Sequence, residues 1–145
     1  MQSLILTLPD DWHLHLRDGA ALADTVPAAA RQFGRGLVMP NLRSPVVTVA
    51  RAREYREEIL RARPPGRAWK PLMAVYLTDN TAVEELRAAR ASDVIVGVKY
   101  YPAGATTNSD SGVTRLEHVA PLLAEMERLD LPLLLHGEVT DPEVD

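Results

Sequence analysis

No cysteine occurs among the 145 residues, which excludes disulfides and thiolate metal ligands. Any metal site must therefore use histidine, carboxylate or a less usual group. Lysine is nearly as scarce: only Lys70 and Lys99 stand among 16 basic residues, and the rest are arginine. A chain that uses arginine for its surface charge is expected to keep lysine where an amine is needed. No run approaches the roughly 18 consecutive apolar residues of a membrane span. The opening Met1-Gln2-Ser3-Leu4-Ile5-Leu6 lacks the basic region and cleavage site of an export signal. Excess positive charge is missing too, and a net charge of −4 argues against a general nucleic-acid binder. Together these traits fit a cytoplasmic chain about one domain in size.

What is present begins with Asp11-Trp12-His13-Leu14-His15-Leu16-Arg17-Asp18-Gly19. Polar and apolar residues alternate here, the pattern of a half-buried strand over 11–17. Side chains two apart on a strand leave the same face, so His13, His15 and Arg17 point one way and Leu14 and Leu16 the other. Two adjacent imidazoles can take two positions on one metal, and a guanidinium beside them can hold an anion. Paired histidines also occur on exposed strands, and that reading stays open for the pair taken alone.

Strand-like and helix-like segments then take turns. Further strands are expected at 36–40, 72–77, 94–101 and 131–136, with helical patterns near 20–33, 47–62, 81–91 and 114–129. Thr48, Thr81 and Thr114 are candidate N-caps, and Glu84 and Glu117 would complete capping boxes with the last two. Arg61 to Arg67 reads as a helix end and turn, not a linker. Alternation with short apolar strands means parallel βα units, in an open sheet or a closed barrel. A dinucleotide-binding sheet lacks support, because no Gly-x-Gly-x-x-Gly comes after the first strand.

The polar residues of interest fall at strand ends. Asn41 comes just after the second strand, Lys99 lies near the end of the fourth, and His136 ends the fifth. In barrels the C-terminal strand ends form the active-site face, so residues remote in sequence converge there. Lys99 has apolar neighbours, which disfavour the ammonium form and leave a nucleophilic amine able to take up carbon dioxide as a carbamate. A snorkelling lysine, a core histidine at 136 and a plain turn residue at 41 are the bland alternatives. The loop from Pro102 to Gly112 is polar, with small residues suited to a mobile lid, and Thr106 and Thr107 offer hydroxyls. His118 reads as a surface residue of the fourth helix, without a role.

Four segments carry a family resemblance: Asp-Asp-Trp-His-Leu-His-Leu-Arg-Asp-Gly at 10–19, Val-Met-Pro-Asn at 38–41, Lys-Tyr-Tyr-Pro-Ala-Gly-Ala-Thr-Thr-Asn-Ser at 99–109, and His-Gly-Glu-Val-Thr at 136–140. They closely resemble dihydroorotase of the shorter, homodimeric bacterial type, within the amidohydrolase superfamily. The resemblance implies an α/β fold, the N-terminal part (about five βα units) of a (β/α)8 barrel, with 1–145 as that portion. It implies that His13 and His15 bind one zinc, His136 the other, and Lys99, as its carbamate, bridges both. Arg17 and Asn41 would hold the substrate carboxylate, and Thr106 and Thr107 would close over the substrate. The implied reaction is the zinc-dependent interconversion of N-carbamoyl-L-aspartate and dihydroorotate in pyrimidine biosynthesis. No nucleic-acid or membrane partner is implied.

The chain departs from the family in length. A barrel of this kind takes about 250 residues, and only five strands are legible. The family's further zinc-binding histidine from a sixth strand and its catalytic aspartate from an eighth have no counterpart, and Asp141, Glu143 and Asp145 are not assigned as that aspartate. The expectation is a homodimer when the barrel is complete, or a second chain that supplies the missing strands. The isolated chain is expected to be inactive. The alternatives are a non-catalytic fragment or assembly partner, and another cyclic amidase of hydantoinase type.

Overall fold

A computed structural model of the chain describes residues 3–138. Val139 and Thr140 of the last motif, and Asp141, Glu143 and Asp145, lie outside the described residues. Five strands, β1 (Asp11–Leu14), β2 (Arg35–Val38), β3 (Lys70–Tyr76), β4 (Ile95–Tyr100) and β5 (Leu133–Leu135), form one parallel sheet in the order β1-β2-β3-β4-β5. Helices α1 (Leu22–Gln32), α2 (Val49–Ala62), α3 (Val83–Ala91) and α4 (Leu116–Arg128) make the crossovers between successive strands. The sheet curls into a half-barrel, part of the (β/α)8 architecture expected from the alternation. Among the described residues, no helix is long and apolar enough to cross a membrane.

Two apolar layers define the sheet's faces. The larger joins sheet to helices: Leu16, Val38, Met73, Val75, Ile95 and Val98 pack with Val26, Tyr55, Ile59, Leu86 and Val119. The smaller lines the inner face, where Leu37, Met39 and Ala74 meet Leu72, Val96 and Leu134. In β2 and β3 the two sets alternate residue by residue, as a pleated strand requires.

β4 breaks that alternation. Ile95 and Val98 both face the helices although they lie three apart. The register with β3 shifts correspondingly, from Met73 opposite Ile95 to Ala74 opposite Gly97. One extra residue is thus accommodated at Val96–Gly97, a bulge that re-aims the rest of the strand. Gly97 is needed there, because a Cβ would stand 2.9 Å from the Pro132 carbonyl oxygen and 3.3 Å from Leu134 Cγ. Beyond the bulge Val98 points to the helices, and Lys99 points inward.

Two expectations about helix starts fail. Thr48 does cap α2, its hydroxyl accepting the Arg51 N–H at 3.1 Å. Thr81 does not cap α3, which begins after Ala82; its hydroxyl accepts the Thr78 N–H at 2.9 Å instead. Thr114 does not cap α4, because its N–H and hydroxyl both donate to the Asp79 carboxylate. Without those caps neither Glu84 nor Glu117 closes a box. It is Glu85 that reaches out, accepting the Val49 N–H at the start of α2 at 3.1 Å.

Candidate active site

The C-terminal ends of the strands bring together the polar residues expected there. Leu14 and Leu16 pack on the helix side, which leaves His13 and His15 on the inner side. Their Nε2 atoms lie 3.1 Å apart, with ring centroids at 5.1 Å and planes tilted by 48°. A tetrahedral zinc with Zn–N near 2.0–2.1 Å holds two imidazole nitrogens about 3.3 Å apart, so the pair fits one ion with little adjustment. Burial lowers the pKa of both rings, with Lys99 adding to the effect on His13 and then His13 and Arg17 on His15. Both rings therefore favour the neutral form, whose lone pairs a metal needs.

The strand expected over 11–17 ends earlier, at Leu14. Arg17 adopts φ 63°, in the left-handed region, so strand alternation does not direct its side chain. A turn does, locked by the Tyr55 hydroxyl, which donates to the Arg17 carbonyl. The charge of Arg17 adds to the effects that lower the pKa of His15, and it opposes the rise at Tyr101.

Lys99 is only 2% exposed. Among the described residues its Nζ forms no ion pair or hydrogen bond, and burial lowers its pKa. Its Nζ stands 4.8 Å from the centroid of the Tyr101 ring. That ring lies 5.6 Å from His136 and 5.1 Å from Tyr76. His136 stands just after β5, its main-chain N–H donating to the Tyr100 carbonyl at 3.1 Å and its Nε2 lying 2.7 Å from Glu138. Among the described residues, no three His, Asp or Glu side chains converge on one point. What the rim offers is a histidine pair, a buried lysine and a further histidine. A protonated lysine repels a cation; a carbamate on the same nitrogen would supply the oxygens that the site lacks.

Asn41 is buried and already committed. Its Nδ2 donates to the Thr107 carbonyl at 2.9 Å, and Asn108 Nδ2 donates to the Asn41 carbonyl at 3.1 Å. Its Oδ1 is buried without a partner among the described residues. The loop carrying Thr106 and Thr107 is thus docked on the rim, and Ser109 ties it internally through its hydroxyl and the Thr106 main chain. His118 lies on the surface as expected, 3.4 Å from Asp79.

Sequence reasoning missed Tyr76, Tyr101 and Asn108. Tyr101 carried a readable signal: it stands two residues beyond Lys99 and so shares its face. Burial pushes the Tyr76 phenol up to about 12 and Tyr101 higher still, so both remain protonated.

A curled parallel βα sheet with its polar residues gathered at the C-terminal strand ends belongs to the (β/α)8-barrel class. Comparison with known proteins narrows this. No family model matches the chain. The dihydroorotase of Cupriavidus taiwanensis is 62% identical over 144 residues, which cover 99% of this chain and 42% of that protein. The dihydroorotase of Acaryochloris marina is 61% identical over 145 residues, covering 100% of this chain and 42% of its own length. Among solved structures, Campylobacter jejuni dihydroorotase superposes with a TM-score of 0.83 at 39% identity, over 92% of this chain and 39% of that one. Saccharomyces cerevisiae dihydroorotase, solved in complex with 5-fluoroorotic acid, gives 0.81 at 33% identity, over 95% and 39%. The chain resembles dihydroorotase along its whole length, and it spans about 42% of the length of these relatives.

Proposed function

We propose that this chain supplies the first five βα units of a dihydroorotase, a zinc-dependent cyclic amidohydrolase that interconverts dihydroorotate and N-carbamoyl-L-aspartate. The observation that carries the reading is the meeting of His13, His15, Lys99 and His136, from three separate strand ends, at one rim. His13 and His15 would hold one zinc through their paired Nε2 atoms. His136 would hold a second, and Lys99, as its carbamate, would bridge the two. When bound, such a metal pair polarises the ring carbonyl and lowers the pKa of water.

The chain's own residues do the positioning. Arg17 presents a planar donor fork that matches the substrate carboxylate. Asn41 has a second N–H for the same carboxylate, beyond the one it donates to Thr107. Thr106 and Thr107 would cover a substrate on the rim, and the contact of Thr107 with Asn41 would tie cover and anchor together. Holding substrate against a fixed metal pair supplies the orientation that makes the reaction effectively intramolecular. The remaining ligands and a proton-transferring carboxylate would come from strands outside this chain.

The test is zinc content by elemental analysis on the chain and on His13→Ala and His15→Ala. Each substitution should remove the ion held by the pair. Unchanged zinc in both variants would reject the assignment.

A further inference from the structure

Tyr101 has features that apolar packing does not explain. It is 1% exposed, and its ring is contacted by Lys99, Tyr76 and His136. Its hydroxyl is buried and, among the described residues, has no hydrogen-bond partner. The Tyr76 hydroxyl next to it donates to the Asn108 carbonyl at 3.4 Å. A phenylalanine would fill the same ring volume without an orphaned oxygen. Buried polar groups are nearly always paired, so an unpaired one calls for an absent partner. Lys99, two residues earlier on the same face, is also buried, and its Nζ has no hydrogen bond among the described residues.

We propose that the Tyr101 hydroxyl is a positioning donor for Lys99, giving a hydrogen bond to one oxygen of its carbamate. This role rests on the proposed function, in which Lys99 of this chain is carboxylated. In forming the carbamate, the neutral amine attacks the carbon of carbon dioxide and an N–C bond forms. One C–O π pair moves to oxygen, and an amine proton leaves to water. The product places a negative charge in the buried rim, where a fixed O–H donor favours it. The face of the aromatic ring acts in the opposite sense, because it attracts the ammonium form. Ring and hydroxyl therefore make opposed contributions, and Tyr101→Phe separates them by removing only the second.

The experiment is carbon-13 NMR of the full 145-residue chain with zinc, titrated with labelled bicarbonate. A carbamate signal should appear in the unsubstituted chain and be absent in Lys99→Arg. Tyr101→Phe should need about tenfold more bicarbonate for half the signal, in keeping with one hydrogen bond to a charged group. Tyr76→Phe, whose hydroxyl has its own partner, should leave the midpoint in place. Should Tyr101→Phe fold poorly, 3-fluorotyrosine at position 101, a stronger donor of nearly the same shape, should move the midpoint to lower bicarbonate. An unmoved midpoint in the folded variant overturns the role of the hydroxyl. Absence of any carbamate signal in the unsubstituted chain overturns the carboxylation of Lys99 beneath it.

Discussion

His13 and His15 hold their Nε2 atoms 3.1 Å apart while Lys99, the nearest buried cation, has no counter-ion among the described residues. Two imidazoles at that separation can share one proton, or share a metal ion. Protonating both would set two positive charges side by side next to a buried amine, which burial and mutual repulsion oppose. With Glu138 paired to His136, the part of the rim around His13, His15 and Lys99 is short of negative charge, and whatever fills it must bring some or be made into it.

Lys99 is where that charge is expected to form. Lys99→Ala should lower zinc content and abolish any turnover that the assembled barrel shows. Short carboxylic acids should restore part of both, by placing oxygens where the carbamate would stand. Elemental analysis with and without added acetate checks this, and full zinc with normal turnover in Lys99→Ala would exclude the bridging role.

Arg17 should act on substrate and leave the metal alone. Arginine keeps its proton and so makes a poor ligand, but its fork suits a carboxylate. Losing one such contact costs about 2–5 kcal/mol by analogy with truncated buried charge pairs. Arg17→Met should thus weaken substrate use by about tenfold or more, with zinc retained. Steady-state kinetics beside a zinc assay decide the matter. Zinc lost in step with activity would move Arg17 into the metal site.

Much of this arrangement was legible in the chain and some was not. The alternation of strand and helix, the histidine pair and the placing of Asn41, Lys99 and His136 at strand ends come from local patterns. The turn at Arg17 was hidden, because its left-handed φ goes with a hydrogen bond to its carbonyl from Tyr55, 38 residues away. The caps at Thr81 and Thr114 failed for the same kind of reason: their hydroxyls found partners at Thr78 and Asp79. The inward aim of Lys99 was the least readable of all. Counting by twos from Ile95 sends Lys99 toward the helices, and only the bulge at Val96–Gly97 reverses it.

That bulge makes Gly97 a test of how the lysine is aimed. A methyl group there would meet the Pro132 carbonyl oxygen at 2.9 Å, and backbone does not yield easily. Overpacking of this kind costs about 1–3 kcal/mol. Gly97→Ala should lower the melting temperature and reduce zinc uptake, by disturbing the strand that carries Lys99. Thermal melting measured by calorimetry, alongside zinc analysis, reads both. A variant with unchanged Tm and zinc would show that the bulge tolerates a side chain and does not control the site.

On its own, the chain should be inactive and prone to associate. Among the described residues β1 and β5 each have a neighbour on one side only, and Leu133 and Leu135 are 41% and 62% exposed. Unpaired edges and uncovered leucines favour self-association. The rim holds His13, His15, Lys99 and His136 but, among the described residues, no cluster of three metal-binding side chains. General acid–base help alone is worth about 10²–10⁴-fold, and an under-coordinated metal pair should lose more. The 145-residue chain, purified alone and checked by intact mass, should therefore show no measurable ring opening of dihydroorotate, even with zinc and bicarbonate supplied. It should elute as an oligomer or aggregate in size-exclusion chromatography. Adding a polypeptide that matches the remaining length of the relatives should restore solubility and turnover together, and raise zinc content beyond the ion held by His13 and His15, since closing the barrel completes the site. Robust turnover by the single chain would mean that its catalytic groups lie elsewhere than at the rim described.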